Sequence, residues 1–260
     1  KAFYTGRYQL LKKPLVPGHE VVGVVVSPSE LESRVVVSEI NFSCGKCYYC
    51  RLGLYTHCPY KKTLGIDFDG GFAEYFIAPV TAIHDVEGLN PITATQIEPL
   101  AAVLNALEQY PITPSSSVAI IGTGNLAYLI TQVLRISGFD VVVVARRGSR
   151  KTHYFTSLGV NIIFEDELVD YVKRNTREGQ GFDVVFEASG DPRALDTAIT
   201  ITRPRGIVHL KSTPGEVFTV DMTRAVVKEL RIIGTRCGTF REFKRAIELV
   251  KSNAVKPLVT

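Results

Sequence analysis

The spacing of apolar residues along the chain changes near Glu98. Before it, short β-branched runs alternate with turn residues. Val21 to Val26 and Arg34 to Val37 read as strands separated by the turn Ser27-Pro28-Ser29, and Phe72 to Ala78, opened by Gly70-Gly71, reads as another. From Glu98 the period becomes helical: Leu100, Val103, Leu104 and Leu107 fall on one helix face, which Pro111 and Pro114 end. Strand and helix patterns then alternate. Val118–Gly122, Val141–Val144, Asn161–Phe164, Asp183–Phe186, Gly206–Leu210 and Leu230–Thr235 are predicted strands, and Leu126, Leu129, Ile130, Val133 and Leu134 form a helical stripe. Six continuously apolar strands with helical crossovers predict a doubly wound parallel sheet covered on both faces. A last helix is predicted from about Thr239, with Phe240, Phe243, Ile247 and Val250 on one side.

A content of 45% hydrophobic and 22% charged residues is that of a soluble globular protein. No apolar run reaches the roughly 18 residues of a membrane span. The net charge of +4 is spread along the chain, which argues against nucleic acid as a partner. The chain opens on Lys1 in mid-pattern and closes on a strand-like Val259-Thr260, so it is expected to be a piece of a longer protein.

Four of the five cysteines lie within fifteen residues: Cys44, Cys47, Cys50 and Cys58, spaced C-x2-C-x2-C-x7-C. Four thiolates this close complete a tetrahedral shell around Zn²⁺ and leave no open position, so this metal is expected to be structural. Clustering of this kind favours metal over disulfides, and with it a reducing, cytoplasmic setting. Tyr48, Tyr49, Tyr55 and His57 are expected to pack the lobe, and Cys237 to be a small buried hydrophobe. His84, His153 and His209 are expected to be structural or solvated.

Gly122-Thr123-Gly124-Asn125-Leu126-Ala127 follows a predicted strand and opens a predicted helix, the context a dinucleotide-binding turn requires. Gly122 permits the turn, Gly124 lets the backbone approach a pyrophosphate, and Ala127 allows close helix–sheet packing. A carboxylate closing the second strand would bind an NAD(H) ribose. Here Ala145 stands there, followed by Arg146 and Arg147, so NADP(H) is expected over NAD(H). Pro17-Gly18-His19-Glu20 precedes the first strand, and Glu98 opens the long helix. His19 and Glu98 offer an imidazole and a carboxylate to one Zn²⁺, although their closeness does not follow from spacing.

Taken together, these segments resemble the zinc-dependent medium-chain alcohol and polyol dehydrogenases. Asp69-Gly70-Gly71-Phe72-Ala73-Glu74-Tyr75, Glu187-Ala188-Ser189-Gly190 and Arg205-Gly206 extend the likeness over nearly the whole chain. The resemblance implies a GroES-like β-barrel catalytic domain, residues 1–100 and 238–260, and a Rossmann NAD(P)-binding domain, residues 101–237, with the active site in the cleft between them. It implies that His19 and Glu98 hold a catalytic zinc, with Glu20 as an outer or exchanging carboxylate. Glutamate at position 98 favours secondary alcohols, polyols or sugars over ethanol-like substrates. The family's first zinc ligand, a cysteine twenty-odd residues before Gly18-His19-Glu20, would lie ahead of Lys1. The expected partners are a small alcohol or carbonyl substrate and further copies of the chain, as a homodimer or homotetramer seamed along Leu230–Thr235. Phe3, Tyr4 and Phe42 are candidate pocket residues. Two other functions fit parts of the pattern: a non-catalytic NADP(H) binder with a zinc-stapled lobe, and a zinc-independent quinone or enoyl reductase.

Overall fold

The computed structural model describes residues 14–215 and 217–259, so Phe3 and Tyr4 lie outside the described residues. Of the described residues, 14–105 and 236–259 gather in one compact unit and 106–235 in another.

The first unit begins with short antiparallel strands: β1 (Val22–Val24), β2 (Val35–Ser38), β3 (Asn41–Phe42), β4 (Lys62–Thr63) and β5 (Ile83–Asp85). They form a three-stranded sheet in the order β1-β2-β5 and a β3-β4 pair. The predicted Val21–Val26 strand is observed over Val22–Val24, and Val25 still exchanges backbone hydrogen bonds with Ser33 and Arg34 ahead of the Ser27-Pro28 turn. The predicted strand Phe72–Ala78 is not seen among the described residues. Among the described residues nothing pairs with it, Phe72, Tyr75 and Ile77 are exposed, and the Gly71 and Phe72 amides bond to the Gly18 and Pro17 carbonyls. A strand exists only through its partner. A closed barrel is therefore not seen among the described residues; two small sheets stand in its place.

Three helices follow in this region: α1 (Tyr48–Arg51), α2 (Pro91–Ala94) and α3 (Ile97–Gln109). Asn90 caps α2 by accepting from the Ile92 and Thr93 amides, with Pro91 in the first turn, where its missing N–H costs nothing. Pro99 occupies the first turn of α3 for the same reason, and Leu100, Val103 and Leu104 are buried as predicted.

The second unit is built on six parallel strands, β6 (Val118–Ile121), β7 (Val141–Ala145), β8 (Asn161–Phe164), β9 (Phe182–Glu187), β10 (Thr202–Leu210) and β11 (Arg231–Gly234). Their order is β11-β10-β9-β6-β7-β8, the doubly wound arrangement with its switch point between β6 and β9. Helices α4 (Asn125–Ile136), α5 (Thr152–Thr156), α6 (Leu168–Asn175), α7 (Ala194–Ile201) and α8 (Met222–Val227) connect them. Ala119, Ile121, Val144, Val185 and Val208 pack with Leu168, Val172, Leu195, Ala198, Ile199 and Ala225 of α6, α7 and α8. The alternate residues Ile120, Val143, Val184 and Phe186 are buried on the opposite face, where α4 packs on β6 and β7. Burial on both faces is the physical reason these strands read as continuous apolar runs.

The chain then rejoins the first unit through α9 (Phe240–Lys251). Thr239 and Glu242 form a reciprocal capping box, which satisfies two amides at the helix start. Phe243, Ile247 and Val250 are buried, whereas Phe240 is half-exposed, its ring edge-on to Tyr55 at 6.0 Å. Asn105 donates to the carbonyls of Arg236 and Cys237 at 3.1 and 2.9 Å, fixing the segment that leads into α9. Among the described residues no helix is long and apolar enough to cross a membrane.

Candidate metal centres and nucleotide site

The Gly18-His19-Glu20 turn is shaped by a second segment far away in sequence. Gly18 has φ +105°, a backbone that disfavours any side chain. Asp69 Oδ1 accepts from the Val16 amide at 2.8 Å, and the amides of Gly70, Gly71 and Phe72 donate to the carbonyls of Val16, Gly18 and Pro17. A Cβ on Gly70 would run into the Gly18 carbonyl oxygen, so the two segments close only because side chains are missing there. This is what Asp69-Gly70-Gly71-Phe72 does: it clamps the turn that carries His19.

With the turn clamped, one ligand atom each from His19, Glu20 and Glu98 lies within 4.8 Å of the others. Glu98 is buried, His19 half-buried and Glu20 exposed. Burial lowers the His19 pKa below its ordinary value, which keeps the imidazole neutral, the form that donates a lone pair to a metal. One nitrogen and two carboxylate donors form a set suited to Zn²⁺. The structure thus brings together the pair that spacing alone leaves separate. Cys237 is half-buried rather than fully buried, and its thiol pKa is raised by burial and by Glu98.

The four cysteines converge as expected. Cys47 Sγ lies 3.5 Å from Cys50 Sγ and 3.8 Å from Cys58 Sγ, and all four sulfurs lie within 4.8 Å. Zn–S bonds of about 2.3 Å in a tetrahedron place sulfurs about 3.8 Å apart, so these thiols fit a closed zinc shell. The backbone helps hold them: the amides of Cys50 and Cys44 point at Cys47 Sγ and Cys58 Sγ, each at 3.5 Å. Cys50 and Cys58 are buried, and all five cysteines of the chain are free of disulfides. The expected aromatic packing is corrected for Tyr48, Tyr49 and His57, whereas Tyr55 is half-buried against Phe240. Tyr48 is 72% exposed, Tyr49 and His57 are also exposed, and His57 meets the Thr56 hydroxyl at 3.1 Å. Four-residue α1 is too short to bury rings, so the sulfurs themselves are the centre of the lobe.

In the second unit, Gly122 closes β6 with φ +117°, and Gly124 is the N-cap of α4. A Cβ on Gly122 would lie 2.9 Å from Ala188 O and Ser189 Cα, whereas a Cβ on Gly124 meets nothing within 4 Å. One glycine is required by the protein, and the other leaves open space at a helix start. Ala127 is fully buried. A cavity of ≈ 610 Å³ opens there, lined by Gly122, Thr123, Gly124, Arg146, Ser149 and Asp191 among others. Thr123 Oγ1 and Ser149 Oγ are 2.8 Å apart, joining the turn to the loop after β7, and Lys151 donates to Asn125 Oδ1 at 3.1 Å. These hydroxyl and ammonium contacts carry no sequence signature.

The two arginines differ. Arg147 donates to Asp166 and Glu167 at 2.7 and 2.6 Å, and its guanidinium lies 4.7 Å over the Phe164 ring. Arg146 is 66% exposed, with a looser 3.7 Å approach to Asp191, whose pKa is held at about 2, chiefly by Arg193. Leu126 is half-buried at the start of α4.

Comparison with known proteins agrees with this geometry. Residues 1–88 match the family model described as alcohol dehydrogenase GroES-like domain, and residues 126–252 match that described as zinc-binding dehydrogenase. The chain is 34% identical over 235 residues to L-threonine 3-dehydrogenase of Pyrococcus horikoshii, covering 86% of this chain and 67% of that protein. Among solved structures it is similar to a zinc-binding dehydrogenase of Sinorhizobium meliloti bound to NADP, with 27% identity, TM-score 0.83 and coverage of 98% of this chain and 78% of that one. It is also similar to an alcohol dehydrogenase of E. coli complexed with NADH, with 25% identity, TM-score 0.84 and coverage of 98% and 77%. A clustered thiol lobe, a His–Glu donor set and a doubly wound sheet, matched by both family models, make this chain a member of the zinc-dependent medium-chain dehydrogenase superfamily.

Proposed function

We propose that the protein is a zinc-dependent oxidoreductase that transfers hydride between the hydroxyl-bearing carbon of a secondary alcohol, polyol or sugar and NAD(P), with NADP preferred. The observation that carries this reading is the approach of His19 and Glu20, on a turn clamped by a distant loop, to Glu98 in the first turn of α3, with their donors within 4.8 Å of one another. Zn²⁺ in such a donor set supplies Lewis acidity toward a hydroxyl or carbonyl oxygen. His19 and Glu98 are the ligands in this reading, Glu20 the exchanging carboxylate, and Cys44, Cys47, Cys50 and Cys58 hold a second, structural zinc.

The open backbone at Gly124 and the amides at the start of α4 suit a pyrophosphate. Preference for NADP is supported by Ala145, which leaves no carboxylate at the end of β7, and by the exposed, loosely paired Arg146. The small-molecule class is supported by relatives such as the L-threonine dehydrogenase, whose named substrate carries its hydroxyl on a secondary carbon. Self-association as a homodimer or homotetramer is supported by β11, which among the described residues is an edge strand of the six-stranded sheet.

Metal content and turnover test the reading together. Two zincs per chain are expected, with turnover of secondary alcohols from a panel that includes sugars, polyols and β-hydroxy acids. His19→Ala is expected to retain one zinc and lose turnover. Retention of both zincs and of turnover in His19→Ala would remove the proposed site.

A further inference from the structure

The C-terminal ends of the six parallel strands form a row, and its chemistry is uneven. At β7 and β6 stand Arg146 and the Gly122–Gly124 turn. At β9 the buried carboxylate of Glu187 accepts from the amide and hydroxyl of Ser189, at 2.8 and 2.7 Å, and from the hydroxyl of Ser212. At β10 stands Lys211, 9% exposed, its amide continuing the ladder to the Glu187 carbonyl at 2.9 Å. Its ammonium reaches across to Thr235, just past β11, donating to the hydroxyl at 3.1 Å and to the carbonyl at 3.3 Å. A lysine seldom sits this deep. The long, flexible chain is held to one spot, and its positive charge stays at the ligand-bearing edge of the sheet.

A doubly wound sheet binds a dinucleotide across its switch point, one nucleoside over each half. With a pyrophosphate at the β6 turn and an adenosine toward β7, the second nucleoside would extend over β9, β10 and β11. Strands lie about 4.8 Å apart, so β10 stands roughly 10 Å from β6, on the side of the second nucleoside. That nucleoside is the nicotinamide half, and its charge changes in the reaction. The carbinol C–H bond breaks, its electron pair forms a C–H bond on the ring, the hydroxyl proton leaves to solvent, and the ring passes from cation to neutral.

We propose that Lys211 is a redox-state selector: its ammonium faces the nicotinamide half of the cofactor and favours the reduced, uncharged ring over the oxidised, cationic one. The inference rests on the dinucleotide reading given above. Its consequence is directional. A fixed positive charge raises the free energy of the bound oxidised cofactor and leaves the reduced one unaffected, so the bound oxidised ring becomes a stronger hydride acceptor. The chain therefore favours alcohol oxidation on the protein and holds its reduced cofactor as a slowly released product. The charge already registers on the same face of β10, where His209 is depressed in part by Lys211.

The test is the ratio of dissociation constants for oxidised and reduced cofactor, measured by fluorescence titration of the full chain with NADP⁺ and NADPH and, in parallel, NAD⁺ and NADH. The wild type is expected to bind the reduced form more tightly. Lys211→Met and Lys211→Gln are expected to lower the ratio about tenfold, the scale of a unit charge acting across several ångströms of protein at an effective dielectric near 20. Lys211→Arg is expected to keep it. A merely structural lysine would move both constants together and leave the ratio unchanged, which would overturn the inference. Equal affinities in the wild type would overturn it without any variant. Failure of the wild type to bind either cofactor would instead overturn the dinucleotide reading beneath it.

Discussion

The carbonyl oxygen of Ala188 stands 2.9 Å from the point that a Cβ on Gly122 would occupy. The loop after β9 therefore presses on the turn after β6, and the two halves of the sheet meet at a place where no side chain fits. Gly122→Ala is expected to destabilise the second unit by roughly 2–4 kcal/mol, from the φ of +117° together with the overlap. Gly124→Ala, with φ −79° and open space around its Cβ, is expected to leave the melting temperature within about a degree while weakening NAD(P)H binding about tenfold or more. Thermal melts and cofactor titration of the two variants check this. Equal loss of stability in both would show that the turn is merely structural.

Arg146 and Arg147 are adjacent but differently employed. Arg147 is committed to Asp166 and Glu167, and its pKa is raised by the hydrogen bonds to those carboxylates. Among the described residues Arg146 makes only the loose approach to Asp191. Arg146→Ala is expected to weaken NADPH binding about tenfold and to leave NADH nearly unchanged, as loss of one charge-assisted contact to a phosphate implies. Arg147→Ala is expected to have the smaller effect on NADPH and to leave stability nearly unchanged, because both its ion pairs are exposed to solvent. The ratio of NADPH to NADH dissociation constants in each variant decides between them.

The thiol lobe has almost no apolar core of its own. Tyr48 and Leu52 face solvent, and α1 has a single turn, so the lobe is expected to need a metal joining its sulfurs to persist. Cys50→Ser is expected to remove one zinc per chain and to expose residues 44–58 to limited proteolysis, with the histidine-bound zinc retained. Metal analysis and the site of first cleavage measure this. An intact lobe without its zinc would mean that backbone contacts suffice.

The second unit was legible in the sequence because its strands are buried on both faces, and a run such as Val141–Val144 has no other reading. The glycine turn was legible because strand, turn and helix follow one another within a few residues. The first unit was less so. Phe72–Ala78 has the composition of a strand, but composition does not supply a partner, and the amides of Gly71 and Phe72 are used by Pro17 and Gly18 instead. The closeness of His19 and Glu98, seventy-nine positions apart, is a product of that clamp and could be expected only through the family resemblance. The contacts of Lys211 with Thr235, and of Glu187 with Ser212, were invisible because they depend on strand order, which no local pattern encodes.

His209 combines burial with an unmet chemical demand. Its ring is fully buried, stacked 4.5 Å from Phe186 and edge-on to Tyr110, and neither ring nitrogen has a hydrogen-bond partner among the described residues. Burial, with a smaller contribution from the Lys211 charge, lowers its pKa from 6.5 to about 4. As the pH falls below 6.5, the unfolded chain takes up this proton while the folded chain does not. The stability linked to His209 is therefore full above pH 6.5, is lost progressively down to pH 4, and contributes nothing further below it; the loss reaches about 3 kcal/mol. His209→Leu replaces the two orphaned nitrogens with apolar atoms of similar volume. It is expected to raise stability at pH 7 by about 1–2 kcal/mol and to flatten the acid limb between pH 6.5 and 4. Urea unfolding of wild type and variant across that range measures both effects. A parallel decline in the two proteins would assign the acid limb to the carboxylates instead.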